Sequence, residues 1–166
     1  MIRLAYTSLA FVVLAAWAGA QAPPRAALSA AEQLRLHRAN RVLLADLVDR
    51  GIDLGGANHP VDRAEACRKT ARVLGIALVQ AADANDADRV AELGSHLEVV
   101  VREGLVPMLD EAKRFIHPAS PDAVRLKVVQ ESAVNDLDGA TANKLSDHPR
   151  TRDVVGKLGD LREKLK

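Results

Sequence analysis

The sequence has few aromatic residues and a single cysteine. Three of its four aromatic side chains, Tyr6, Phe11 and Trp17, lie within the first 20 residues, which leaves Phe115 alone in the rest of the chain. Stacking platforms for single-stranded nucleic acids need several aromatic rings, so this class of binding surface is excluded. Because Cys67 is the only cysteine, no intrachain disulfide can form. Stability must therefore come from packing.

The chain also lacks an excess of either charge. It contains 23 Lys and Arg residues against 22 Asp and Glu residues. Residues 1–20 include one basic residue, Arg3, and no acidic one, so the remainder carries equal numbers of the two signs. Binding to nucleic acid through its phosphates needs a net basic surface. We therefore expect no nucleic-acid partner.

Residues 1–20 predict a secretory signal peptide. Arg3 precedes an apolar run from Leu4 to Ala18, and the chain becomes polar after Ala20. The small residues Ala18 and Ala20 predict cleavage directly before Gln21. The alternative is a retained membrane anchor, but an uninterrupted span needs about 20 apolar residues, more than this run provides. The expected location is periplasmic or secreted, with a mature chain that does not span the membrane.

The mature sequence is rich in Ala, Leu, Val and charged residues, a composition typical of helical proteins. Its apolar periodicity predicts an all-α fold. We expect an antiparallel bundle of about four helices and a weak C-terminal amphipathic helix. The expected segments are a flexible lead (21–28), the helical bundle (29–137), a linker (138–149) and the C-terminal helix (150–166).

Capping residues and glycines predict where the first helix begins and ends. Ser29 and Glu32 form a capping-box pattern at its start. Gly51 is expected to end it in a left-handed conformation, and the glycines and Asn-His-Pro of residues 51–60 predict a loop. A second helix then follows, with one narrow stripe of the coiled-coil type formed by Ala64, Cys67, Ala71, Leu74, Leu78 and Ala81.

Prolines and apolar spacing organise the rest of the chain. Pro107 predicts a kink in the third helix, because it lacks an amide hydrogen and its ring crowds the preceding turn. Ser120 and Pro121 predict the start of a fourth helix that ends near Leu137. The apolar face after the kink is expected to comprise Met108, Ala112, Phe115 and Ile116. The final segment, which needs a packing partner, has its apolar residues at Val154, Leu158, Leu161 and Leu165.

No pattern of catalytic residues is present, and we expect neither enzymatic activity nor a cofactor. The sequence contains no nucleophile elbow, no phosphate-binding glycine loop and no zinc-protease motif. Metal binding is the alternative considered, since His37, Cys67 and His96 have side chains that ligate copper or zinc. Their separation means that three helices would have to bring them together. The alternative function is therefore a periplasmic metal or stress sensor.

Four short segments carry a resemblance to known proteins. They are Asn40-Arg41-x-Leu43-Leu44-x-x-Leu47-Val48, Pro60-Val61-x-Arg63-Ala64-x-x-Cys67, Ala91-Glu92-Leu93-x-x-x-Leu97 and Gly104-Leu105-x-Pro107. This pattern resembles uncharacterised extracytoplasmic helical domains of bacteria, some of them encoded beside sigma/anti-sigma systems. The resemblance implies an accessory role in the cell envelope and assigns no functional residue.

These observations favour a secreted or periplasmic helical bundle that works without catalysis, through protein contacts. The expected partner is another protein of unknown identity, with self-association as one option.

Overall fold

The computed structural model describes residues 29–142 and 148–166. Within these residues the protein is helical and contains no strand, which confirms the all-α prediction. The chain divides into two units, residues 1–37 and 38–166. The helices are α1 (Ala30–Gly56), α2 (Pro60–Asp83), α3 (Ala87–Val99), a π-helical segment (Val100–Leu105), α4 (Val106–Phe115), α5 (Pro121–Thr141) and α6 (Arg152–Leu165).

The described part of the first unit is the start of α1, which is capped as predicted. The Ser29 amide donates to Glu32 Oε2 over 2.8 Å, and the Glu32 amide donates to Ser29 Oγ over 3.3 Å. The Ser29 hydroxyl also donates to Glu32 Oε2 over 2.6 Å. These bonds hold the pKa of the Glu32 carboxyl below its ordinary value, because they favour its charged form.

The predicted end of α1 at Gly51 is wrong. The helix continues through Gly51 and Ile52 to Gly56, and no glycine in the described residues has a positive φ. A glycine inside a helix costs only about 1 kcal/mol relative to alanine, so Gly51 alone does not end it. Pro60 disfavours the helical conformation at His59, and the connection to α2 is correspondingly short.

Helix α2 lies at the centre of the second unit and packs against α3, the π-helical segment, α4 and α5. All six residues of the predicted stripe are buried. Val61, Ala66, Gly75 and Ala82 are buried as well, so the buried surface is wider than a coiled-coil seam. The small side chains allow several neighbouring helices to approach α2 closely.

A tight reversal joins α2 to α3. Asn85 has a φ of 55°, and the Asp86 amide donates to Ala81 O while the Asn85 amide donates to Ala82 O. This is a Schellman end, which asparagine tolerates better than most residues do. Asp86 then caps α3, since its side chain accepts from the Arg89 amide over 3.0 Å.

The predicted distortion at Pro107 takes the form of the π-helical segment. Here the Val106 amide donates to Val101 O, five residues back. The wider turn accommodates the proline, which has no amide hydrogen to donate. In this segment and in α4, the residues that face the core are Val101, Leu105, Leu109 and Ala112, all of them buried. The prediction that Phe115 continues the apolar face is wrong, because 75% of this residue is exposed.

The remaining two helices complete the core. Ser120 caps α5, accepting from the Ala123 amide over 3.3 Å, and this helix extends to Thr141, one turn beyond the predicted end. Helix α6 packs against α3 and α5. Its four apolar residues, Val154, Leu158, Leu161 and Leu165, are all buried. The packing partner that this segment needs is therefore supplied by the chain itself.

Candidate interaction surface

Helix α1 contains 27 residues, none of them buried. Three leucines, Leu43, Leu47 and Leu54, are partly buried and pack against the core. A hydrogen bond from Arg89 to Asn40 Oδ1 also attaches this helix to α3. Helix α1 within the second unit is thus held by one leucine face and one polar contact.

Among residues 29–142 and 148–166, none covers a second apolar face of α1. Leu44, Val48 and Ile52 follow one another at intervals of four residues, and are 62%, 60% and 68% exposed. We call these three residues the outer stripe. At 100° per residue, the outer stripe lies about 120° around the helix from the leucine face. Single exposed apolar residues are normal, whereas a continuous apolar line marks an interaction surface.

Charged residues border the outer stripe in an ordered way. Arg38 and Arg41 precede the outer stripe along α1, Asp49 follows Val48 in sequence on the flank of the stripe, and Asp53 lies about 140° around the helix from it. Asp53 accepts a hydrogen bond from Arg50 over 2.7 Å. Arg41 and Asp49 form no ion pair with any residue that the structure describes. Within the second unit, α1 thus begins with Arg38 and Arg41, and its later part carries three acidic residues, Asp46, Asp49 and Asp53, against one basic residue, Arg50.

Other exposed apolar residues of the second unit are scattered or paired. Val124 and Val128 of α5 are 67% and 56% exposed, and with Val129 they line a groove of about 220 Å³ beside α2. Pockets for small ligands usually measure about 300–1,000 Å³. The volume of this groove lies below that range. The groove also has only two exposed valines, whereas the outer stripe of α1 has three exposed apolar residues in line.

The residues of the predicted metal site lie in different environments. Cys67 is buried in α2, and a β-carbon built on Gly104 would lie 3.5 Å from its Sγ. Burial raises the pKa of the Cys67 thiol, because desolvation disfavours the thiolate. His96 is exposed on α3, and His37 is exposed in the first unit.

Across residues 29–142 and 148–166, no group of three or more His, Cys, Asp or Glu side chains could hold a metal ion. The metal or stress sensor stays a hypothesis of the sequence analysis.

The three histidines that precede prolines share one structural role. Nδ1 of His59 accepts from the Val61 amide, Nδ1 of His117 accepts from the Ala119 amide, and Nδ1 of His148 accepts from the Arg150 amide. In each case the donor lies two residues beyond the histidine. These side chains stabilise turns and the start of α2, and the sequence analysis did not foresee this shared geometry.

The predicted signal-cleavage residues Ala18, Ala20 and Gln21 lie outside the described residues. Among the helices that the structure does describe, none is both long and apolar enough to cross a membrane.

No protein family, curated protein or solved structure matches the chain. The resemblance to extracytoplasmic helical domains thus remains an expectation from four short segments.

Leu43, Leu44, Leu47 and Val48 recur at helical spacing in the sequence, and treated as one apolar pattern they do not reveal the outer stripe. The signal was present in their spacing. The pairs Leu43-Leu44 and Leu47-Val48 lie four positions apart, and together they cover a wider arc of the helix than a single contact face occupies. Assigning each residue an angle around the helix would have separated two faces.

Proposed function

We propose that this chain is a secreted or periplasmic helical-bundle protein that acts without catalysis, as an interaction or accessory protein of the cell envelope. The observation that carries the proposal is the outer stripe. Burying three such side chains against another protein would remove apolar surface from water, at about 25 cal/mol per Å². The antiparallel bundle predicted from the sequence would serve as the scaffold that presents α1.

The core supports this role for α1. The central helix α2 and the C-terminal helix α6 have their apolar faces buried within the chain. Helix α1 differs, because it keeps one apolar face against the core and leaves another uncovered. A binding helix of this kind can release its partner without unfolding the rest of the protein.

The extracytoplasmic location rests on residues 1–20. Their basic start, apolar centre and small residues before Gln21 are the features that direct secretion. A partner would accordingly be met outside the cytoplasm.

Photo-crosslinking in producing cells tests the proposed function. A photoreactive amino acid replaces Val48 in one variant and Val128, similarly exposed on α5, in a control. The expected result is a covalent adduct with a protein at position 48, in the extracytoplasmic fraction, and none at position 128. Absence of any adduct at position 48, or adducts of equal yield at both positions, would overturn the proposal.

A further inference from the structure

We propose that the partner of the outer stripe is a second copy of this chain, bound through an antiparallel contact between the two α1 helices. This inference rests on the proposed function, since it identifies the protein that the same surface binds. Two features of α1 favour this partner: the distribution of charge along the helix, and the apolar residues that lie between oppositely charged ends.

Two copies related by a twofold axis perpendicular to α1 would present opposite ends of the helix to each other. The basic residues Arg38 and Arg41 of one copy would then face the acidic half of the partner. A parallel arrangement would instead place like charges side by side, which is destabilising. The charge pattern is therefore self-complementary in the antiparallel arrangement only, as a contact of twofold symmetry requires.

Leu44 and Val48 set the register, and Ile52 then lies opposite position 40 of the partner subunit. With the axis midway between Leu44 and Val48, Leu44 of each copy lies opposite the partner's Val48. In that register Arg41 lies opposite position 51 of the partner subunit, two residues from the partner's Asp49. Arg41 and Asp49 have no ion-pair partner in the described part of the chain, so both are available for this contact.

The contact between Arg41 and the partner's Asp49 is formed twice, because the twofold axis repeats it with the two copies exchanged. The leucine face of α1 remains on its own bundle, because Leu43, Leu47 and Leu54 point about 120° away from the outer stripe. The proposed dimer therefore needs no rearrangement of the core. Its small size predicts a weak, concentration-dependent association.

Sedimentation analysis of the protein as cells produce it tests this inference over a range of concentrations. The expected result is a reversible monomer–dimer equilibrium. The double variant Leu44→Asp with Val48→Asp should raise the dissociation constant at least about tenfold, since it puts charge into the apolar contact. The matched control is Val124→Asp with Val128→Asp, which should leave the equilibrium unchanged. Circular dichroism verifies that both variants fold.

Charge reversal tests the antiparallel register. Arg41→Glu and Asp49→Arg should each weaken the dimer, because each creates like-charge contacts. Combining the two substitutions in one chain should restore dimerisation, and so should mixing the two single variants. No intramolecular role of either residue predicts restoration by mixing. The register would be overturned if both single substitutions weaken the dimer and neither the double variant nor the mixture of single variants restores it.

A monomer at every concentration would overturn the inference as a whole, as would a dimer that is insensitive to the change at Leu44 and Val48. Failure of the inference and failure of the proposed function are separable. A monomer that still forms an adduct at position 48 in cells, with a mass that excludes a second copy, leaves the proposed function intact. Absence of every adduct at that position removes the proposed function.

Discussion

Gly94 of α3 packs directly against Val154 of α6. A β-carbon placed on Gly94 would lie 2.4 Å from Val154 Cγ1 and 3.4 Å from Leu78 Cδ1. Both residues are buried. Glycine is thus required here by the close approach of the two helices, although it weakens helix formation locally.

Gly94→Ala is expected to destabilise the protein by about 1–2 kcal/mol, since overpacking outweighs the improved helix propensity. Chemical denaturation measures the change. In a Val154→Ala background, which lacks the clashing methyl, the same substitution should be neutral or stabilising. The control is Gly156→Ala, where no atom lies within 4 Å of the new β-carbon, and it should stabilise by up to about 1 kcal/mol. An equal loss in both backgrounds would contradict the proposed contact.

Leu158→Ala should lower the free energy of unfolding by about 2–5 kcal/mol, because this side chain is fully buried and its truncation leaves a cavity. Val128→Ala, at a position 56% exposed, should change stability by no more than about 0.5 kcal/mol. Thermal or chemical unfolding compares the two. Similarly small changes in unfolding free energy for both substitutions would contradict the packing of α6 against the core.

Cys67 should react slowly with thiol reagents in the native protein, because it is buried and burial raises the pKa of its thiol. Unfolding should increase the labelling rate by at least about tenfold. The raised pKa also predicts a pH effect. The Cys67 thiol contributes its full stabilisation below the ordinary pKa of a thiol. This contribution is lost as pH rises through the higher pKa that the thiol has in the folded protein.

Cys67→Ala is the control for that pH effect, since it removes the titrating group. Stability measured above the ordinary thiol pKa should decline less in this variant than in the native sequence. Rapid labelling of the native protein at neutral pH would contradict the buried position of Cys67.

The signal peptide is tested by the mass of the exported protein, which should correspond to a chain that begins at Gln21. Ala20→Leu should cause the uncleaved precursor to accumulate, because the residue before the cleavage site must be small. Ala22→Leu, which lies beyond the cleavage site, should be processed normally. Export of an uncleaved native chain would favour the membrane-anchor alternative.

Local features of the sequence were sufficient to predict much of the secondary structure. Ser29 and Ser120 each lie at the start of a helix, as predicted, since capping and proline effects involve only neighbouring residues. The stripe on α2 and the four apolar residues of α6 were also identified correctly, because a regular period places them on one face.

Other features depended on neighbours distant in sequence. Gly51 lies within α1, and Phe115 lies exposed at the end of α4, where no neighbouring element covers it among the described residues. For the candidate surface, the sequence provided the residues but not their separation into two faces.

The sequence by itself determined an all-helical chain, because apolar period and capping are local properties of neighbouring residues. Only the tertiary structure decided which apolar faces are covered. Val154 and Leu158 of α6 are buried against the other helices, whereas Val48 and Ile52 of α1 remain exposed. Whether a face is covered depends on how many residues of other helices contact it, and the spacing of apolar residues within one helix does not show this.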